Sequence, residues 1–193
     1  MARPSLREQL LVAGLDSFHR RGFNGTSVQD ITDAAGAPKG SFYNHFVSKE
    51  ALAAEAVRKY VELRRSVHRD LLRDTKLKPL RRLRRYFESL NQAAAKAAFS
   101  SGCLLGNFGA EVSGYNPLIS KRLGEAFAGW TDAVAAVIRE GQKAGEISRD
   151  FSPAELAAFT IHAWEGALLR AKVAKNSAPL DLFVDVTFDK ILA

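Results

Sequence analysis

The 193-residue sequence predicts an all-α fold of about nine helices, on three observations. Apolar residues recur three and four apart along nearly the whole chain, which is the period of a helix with one buried face. No segment sustains the apolar–polar alternation of a half-buried strand. Serine, threonine or proline precedes most of the periodic runs, where a helix start needs a side-chain acceptor or a residue lacking an amide proton.

The elements follow in order. Leu6, Leu10, Leu11, Leu15 and Phe18 form one stripe, begun by the capping box Ser5-Leu-Arg-Glu8 and stopped near Gly22. Val28, Ile31 and Ala35 mark a short second helix, opened by Thr26 and Ser27 with Asp30 in the box position. Gly36 breaks it, and Pro38 starts a third helix over residues 38–46. Ser48 caps a fourth, carrying Leu52, Ala56, Tyr60 and Leu63. A fifth follows Pro79 with Leu83, Phe87 and Leu90. Glycines in "SSGCLLGNFGAEVSGYNP" confine a sixth between bends, with Asn107 and Glu111 one turn apart and able to anchor them. Leu123, Phe127, Trp130, Val134 and Val137 set a seventh, and Ser152-Pro-Ala-Glu155 caps an eighth. Leu180, Val184, Thr187 and Ile191 define the last.

Composition narrows the function. Hydrophobic residues make up 47%, enough for a core. No apolar run reaches the length of a membrane span, and the opening residues do not read as a secretory leader. A single cysteine, Cys103, cannot form an internal disulfide, so a cytoplasmic, reducing setting is expected. The four histidines have no metal spacing with it, so neither metal nor cofactor is expected. A thiol enzyme built on Cys103 would lack a resolving cysteine, a nucleotide loop and a nearby His–acid pair, and the chain is not read as an enzyme.

The net charge of +7 is uneven. Residues 51–90 hold twelve Lys/Arg against five Asp/Glu, whereas residues 1–50 hold six against five. The run "RRLRR", Arg81 to Arg85, reads as a solvated helix face.

Function enters at residues 38–46. At 3.6 residues per turn, Phe42 and Phe46 fall on one side, able to pack on Val28 and Ile31. Gly40, Ser41 and Asn44 fall opposite, with Tyr43 and His45 flanking and Lys39 in the first turn. A short helix, a glycine turn and a second helix with a polar outer face make a helix-turn-helix. Its N-terminal residues Lys39, Gly40 and Ser41 would lie nearest the bases, with Tyr43, Asn44 and His45 in reach of phosphates or a thymine methyl. Thr26, Ser27, Ser48 and Lys49 stand at helix starts and would offer hydroxyls, amides and charge to phosphates. A nearly neutral head binds weakly alone, so two heads about one DNA turn apart are needed. The last two long helices are apolar over much of their circumference, which a second copy would cover. Ile161, Trp164, Leu168, Phe183, Val184, Thr187 and Ile191 are the expected interface.

The stretch Gly22 to Leu52, "GFNGTSVQDITDAAGAPKGSFYNHFVSKEAL", resembles the TetR family of one-component bacterial regulators. The likeness rests on the glycine-x-proline turn and the sequence Phe42-Tyr43-Asn44-His45-Phe46. It implies a homodimer on a palindromic operator, usually repressing, with a helix-turn-helix domain over 1–47 and an effector-binding and dimerisation domain over 48–193. Residues 48–74 would form the connecting helix.

"SGCLLGNFGAEV" further resembles the NemR-like branch of that family, which implies electrophile or oxidant sensing at Cys103. "LLRAKVAK" resembles the branch's segment carrying a lysine near that cysteine, here Lys172. The competing expectation is a non-covalent apolar pocket lined from Phe87, Phe108, Tyr115, Phe127, Trp130, His162 and Trp164, with His162 read as a buried, hydrogen-bonded histidine and Asn107 counted with the effector site.

Overall fold

The computed structural model describes residues 4–193. Among these it holds nine α-helices and one π-helical turn, with no strand. The helices are α1 Leu6–Arg21, α2 Val28–Ala34, α3 Lys39–Phe42, α4 Lys49–Arg73 and α5 Pro79–Lys96. They continue with α6 Leu104–Val112, α7 Pro117–Lys143, α8 Pro153–Ala174 and α9 Ala178–Val186, and the π turn spans Thr187–Ile191.

The caps form as the sequence predicts, with one difference. Ser27 with Asp30 and Ser152 with Glu155 make full reciprocal boxes, each serine accepting the N3 amide while the acid accepts the serine's own. At α1 only half the box forms: Ser5 accepts the Glu8 amide, whereas the Glu8 carboxylate turns to Lys59 at 2.7 Å. An ammonium offers that carboxylate a stronger partner than a neutral amide.

Two compact units result. One takes the chain up to Leu63 together with Cys103–Ala126; the other takes Arg64–Gly102 and Phe127–Ala193. The first therefore contains more than the N-terminal helices, because α6 and the start of α7 belong to it. Its core is aromatic. Phe18 stacks on Phe23 at 5.8 Å between centroids, and Phe108 of α6 meets both edge-on at 5.5 and 6.0 Å. Gly14 lets α1 pass close to α4: a Cβ there would lie 2.4 Å from a Leu52 methyl.

In the second unit Phe87 is fully buried and packs on Trp164, Phe183 and Phe188. The "RRLRR" run is not one solvated face. Arg82 is buried, donates to Leu72 O at 3.2 Å and pairs with Glu140, while Arg84 pairs with Asp189. Arg81 and Arg85 are exposed. A guanidinium at a helix position facing neighbouring elements finds a carbonyl and a carboxylate there, which offset its burial in part, since the buried Nε has no hydrogen-bond partner among the described residues.

The chain end departs from one continuous helix. After Val186 the backbone widens by one residue, the Leu192 amide donating to Thr187 O. The wider turn brings Phe188 and Leu192 inward and leaves Val184 and Ile191 half-buried.

Five of the seven residues expected at the interface are covered within the chain itself. Ile161, Trp164, Leu168, Phe183 and Thr187 are buried within their own unit. The opposite side of α8 carries the uncovered row Phe159, His162, Gly166, Leu169 and Val173, spaced three and four apart, with Leu169 59% and Val173 70% exposed. On α9, Leu182 and Val186 are likewise exposed. Both sides of α8 are apolar, so periodicity alone did not distinguish the inner one. His162 is exposed rather than buried, because it falls in this outer row.

Candidate nucleic-acid interface

The turn between α2 and α3 is built by Gly36, whose φ of +64° lies in the left-handed region that glycine enters without strain. Pro38 then sets the extended N-cap of α3. The regular helix is shorter than expected, four residues, but the chain stays coiled to Phe46, whose amide donates to Phe42 O at 3.0 Å. Phe42 is 0% exposed and Phe46 is buried beneath the Arg7 guanidinium.

Outside lie Lys39, Gly40, Tyr43 and Asn44, all exposed, with Ser41 and His45 half-buried. The Ser41 hydroxyl donates to Pro38 O at 2.6 Å. A Cβ built on Gly40 meets nothing within 4 Å, so the fold itself makes no demand for glycine there.

The helix starts differ from expectation at two residues. Thr26 is 1% exposed, and its hydroxyl donates to Gly22 O at 2.8 Å and Ser17 O at 3.3 Å. The Lys49 ammonium donates to Phe23 O and Thr26 O, and lies 4.0 Å from the Phe23 ring centroid. Both side chains close the α1–α2 loop through these bonds. Ser27 is exposed and exchanges hydrogen bonds with Asp30, which with Arg21 hold the Asp30 carboxyl down at about 2. Ser48 is half-buried and accepts the Ala51 amide at 3.2 Å, capping α4.

Sequence reading missed the other support of that loop. Glu111 accepts the Asn24 amide at 3.0 Å, and Tyr115 donates to Asn24 Oδ1 at 2.9 Å. Their separations of 87 and 91 residues leave no local signal.

The expected effector residues divide between the units. Cys103, Asn107, Phe108 and Tyr115 belong to the first; Phe87, Phe127, Trp130, His162, Trp164 and Lys172 belong to the second. Most of the aromatic ones pack ring on ring rather than around a space. Phe108 is core, and Trp130 meets Trp164 edge-on at 5.5 Å while the Trp164 indole donates to Asn91 Oδ1 at 2.8 Å. Tyr115 is exposed and Asn107 half-buried. Cys103 is buried at the N-cap of α6, with the Tyr60 hydroxyl 3.7 Å from its sulfur. A cleft of about 440 Å³ lies among Arg139, Gln142, Arg149 and Phe151, and none of these effector residues lines it.

Comparison with known proteins decides the family. Residues 10–56 match the model of bacterial regulatory proteins of the tetR family, and residues 79–187 match the tetracyclin repressor-like C-terminal domain. The chain belongs to the TetR family.

This TetR-family chain is 40% identical over 193 residues to the transcriptional repressor DhaR of Mycobacterium sp. strain GP1, covering all of this chain and 95% of that protein. The crystal structure of a regulatory protein TetR from Rhodobacter sphaeroides superposes with a TM-score of 0.89 at 32% identity, over 96% of this chain and 98% of that one. Escherichia coli NemR in its reduced form gives a TM-score of 0.84 at 26% identity, over 97% of each chain. The TetR-family chain is thus a DNA-binding transcriptional regulator. Among its described residues no helix is long and apolar enough to cross a membrane.

Proposed function

We propose that the chain is a cytoplasmic repressor that binds a palindromic operator as a homodimer and is released by a small effector. One observation carries the reading: Phe42 and Phe46 are buried, while no hydrogen bond among the described residues engages the side-chain polar groups of Lys39, Tyr43 or Asn44. Ungathered donors on a coil anchored from behind suit base edges and phosphates. The names of DhaR and NemR as repressors support the direction of control. The uncovered row on α8 and the exposed Leu182 and Val186 of α9 supply apolar surface for a second copy. In a mobility-shift assay on the bound promoter, Lys39→Ala and Tyr43→Ala abolish the complex while sizing still gives a dimer. Undiminished binding by both variants removes the assignment.

A second reading, on the effector, rests on Cys103 at the start of α6. A helix start stabilises a thiolate, and a group added to a buried sulfur must displace its neighbours. Cys103→Ser then binds DNA but ignores electrophiles such as quinones and hypochlorite; release like that of the wild type excludes covalent sensing.

A further inference from the structure

The α1–α2 connection, residues 22–26, sets where α2 begins and therefore where α3 follows. Lys49 and Thr26 close it from one side. From α6 comes a separate grip with no counterpart among the residues read as touching DNA.

The Glu111 carboxylate accepts the Asn24 amide and fills the space beside Gly22, where a Cβ would lie 2.1 Å from Oε1. Gly22 has φ +77° and ψ 175°, a backbone setting open to glycine and strained for other residues. In the turn after α6, Tyr115 donates to the side chain of Asn24. Phe108, one helical turn before Glu111, seats α6 on Phe18 of α1 and on Phe23 at the start of the same connection. Two polar contacts to one exposed loop residue, one from α6 and one from the turn that follows it, make the loop's geometry depend on where α6 lies.

We propose that Glu111 and Tyr115 are positioning residues for DNA binding: they clamp Asn24, and α6 thereby holds the α1–α2 connection in the form that presents α3. The inference rests on the DNA-binding reading above. Neither residue touches DNA.

The test uses the full-length chain and a duplex that the wild type selects from a random-sequence pool. Glu111→Ala weakens binding about tenfold, the loss expected for a hydrogen bond to a charged acceptor, and speeds hydrogen exchange at the Asn24 amide. Glu111→Gln, whose amide oxygen still accepts, stays within about threefold of the wild type. Tyr115→Phe and Asn24→Ala each weaken binding, and the double variant is no worse than the weaker single. Equal or tighter binding by Glu111→Ala overturns the proposal, as do additive losses in the Tyr115–Asn24 pair. If Glu111→Ala fails to fold, that exposed pair decides alone. A wild type that selects no duplex removes the DNA-binding reading itself, before any variant is compared.

Discussion

The Lys49 ammonium lies 3.1 Å from Phe23 O and 3.0 Å from Thr26 O, beside the ring of the same phenylalanine. The first turn of α4 is thereby tied to the loop in front of α2. Lys49→Ala loses two charge-assisted bonds and a cation–π contact, and is expected to lower unfolding stability by about 2 kcal/mol in urea titrations. Because the charge is spent internally, the variant keeps the slope of log binding constant against log salt. A fall of about 0.9 would mean that Lys49 meets a phosphate after all.

Gly40 gives a prediction in which fold and function part. A methyl there meets no atom of the chain, and alanine favours helix over glycine by up to about 1 kcal/mol. Gly40→Ala is therefore expected to melt no lower than the wild type, yet to bind operator at least tenfold more weakly if the backbone approaches the bases closely. Undiminished affinity would place the groove elsewhere on α3.

The pH dependence of stability has a source in His68. The ring is buried, its Nδ1 lies 2.9 Å from Ser89 Oγ, and Ser89 gives its proton to Tyr86 O. Burial first, and the Arg64 charge second, hold the His68 pKa below its ordinary 6.5. The folded state thus resists a proton that the unfolded chain accepts. Stability is full above about 6.5 and declines as pH falls below it. Melting at pH 7.5 and 5.5 checks this: the decline shrinks in His68→Gln.

At Asp30 the same sign applies lower on the scale. Its carboxyl is held at about 2 against 3.8, chiefly by the Ser27 hydroxyl and amide. Its contribution is complete above 3.8 and is lost as pH falls through about 2. The difference in melting temperature between wild type and Asp30→Ala narrows over that window. A gap that persists at pH 2 would show that the cap does not depend on the ionised carboxyl.

For the dimer, Leu169→Glu puts a charge into the uncovered row of α8. Two such leucines buried across a two-fold account for several kcal/mol, so self-association should weaken about a hundredfold or more by sedimentation. Trp164→Phe, on the inner side, should leave assembly intact and lower only the melting temperature.

These contrasts show what the sequence carried. Capping boxes, the Gly36 turn and the Phe42–Phe46 pair are local patterns, each written within a few residues, and the structure contains them. The inner side of α8 was not legible: Ile161, Trp164 and Leu168 and the outer Phe159, Leu169 and Val173 are equally apolar, and only tertiary packing separates them. The carbonyl partners of Lys49 and Thr26 were not legible for a related reason. A cation and a hydroxyl at helix starts look alike whether they face a phosphate or a carbonyl 23 or 9 residues away. Glu111 offered less still, since its partner is a backbone amide and carries no residue-type signal.

The approach of α1 to α4 at Gly14 has a genetic corollary. With a Leu52 methyl in the space where a side chain would begin, any substitution at residue 14 must turn that leucine aside or push two rods apart, and the reading surface travels with one of them. Lesions at this remote, water-free spot should therefore score in a reporter screen as loss of promoter control, and second-site revertants should cluster at residue 52 as smaller side chains.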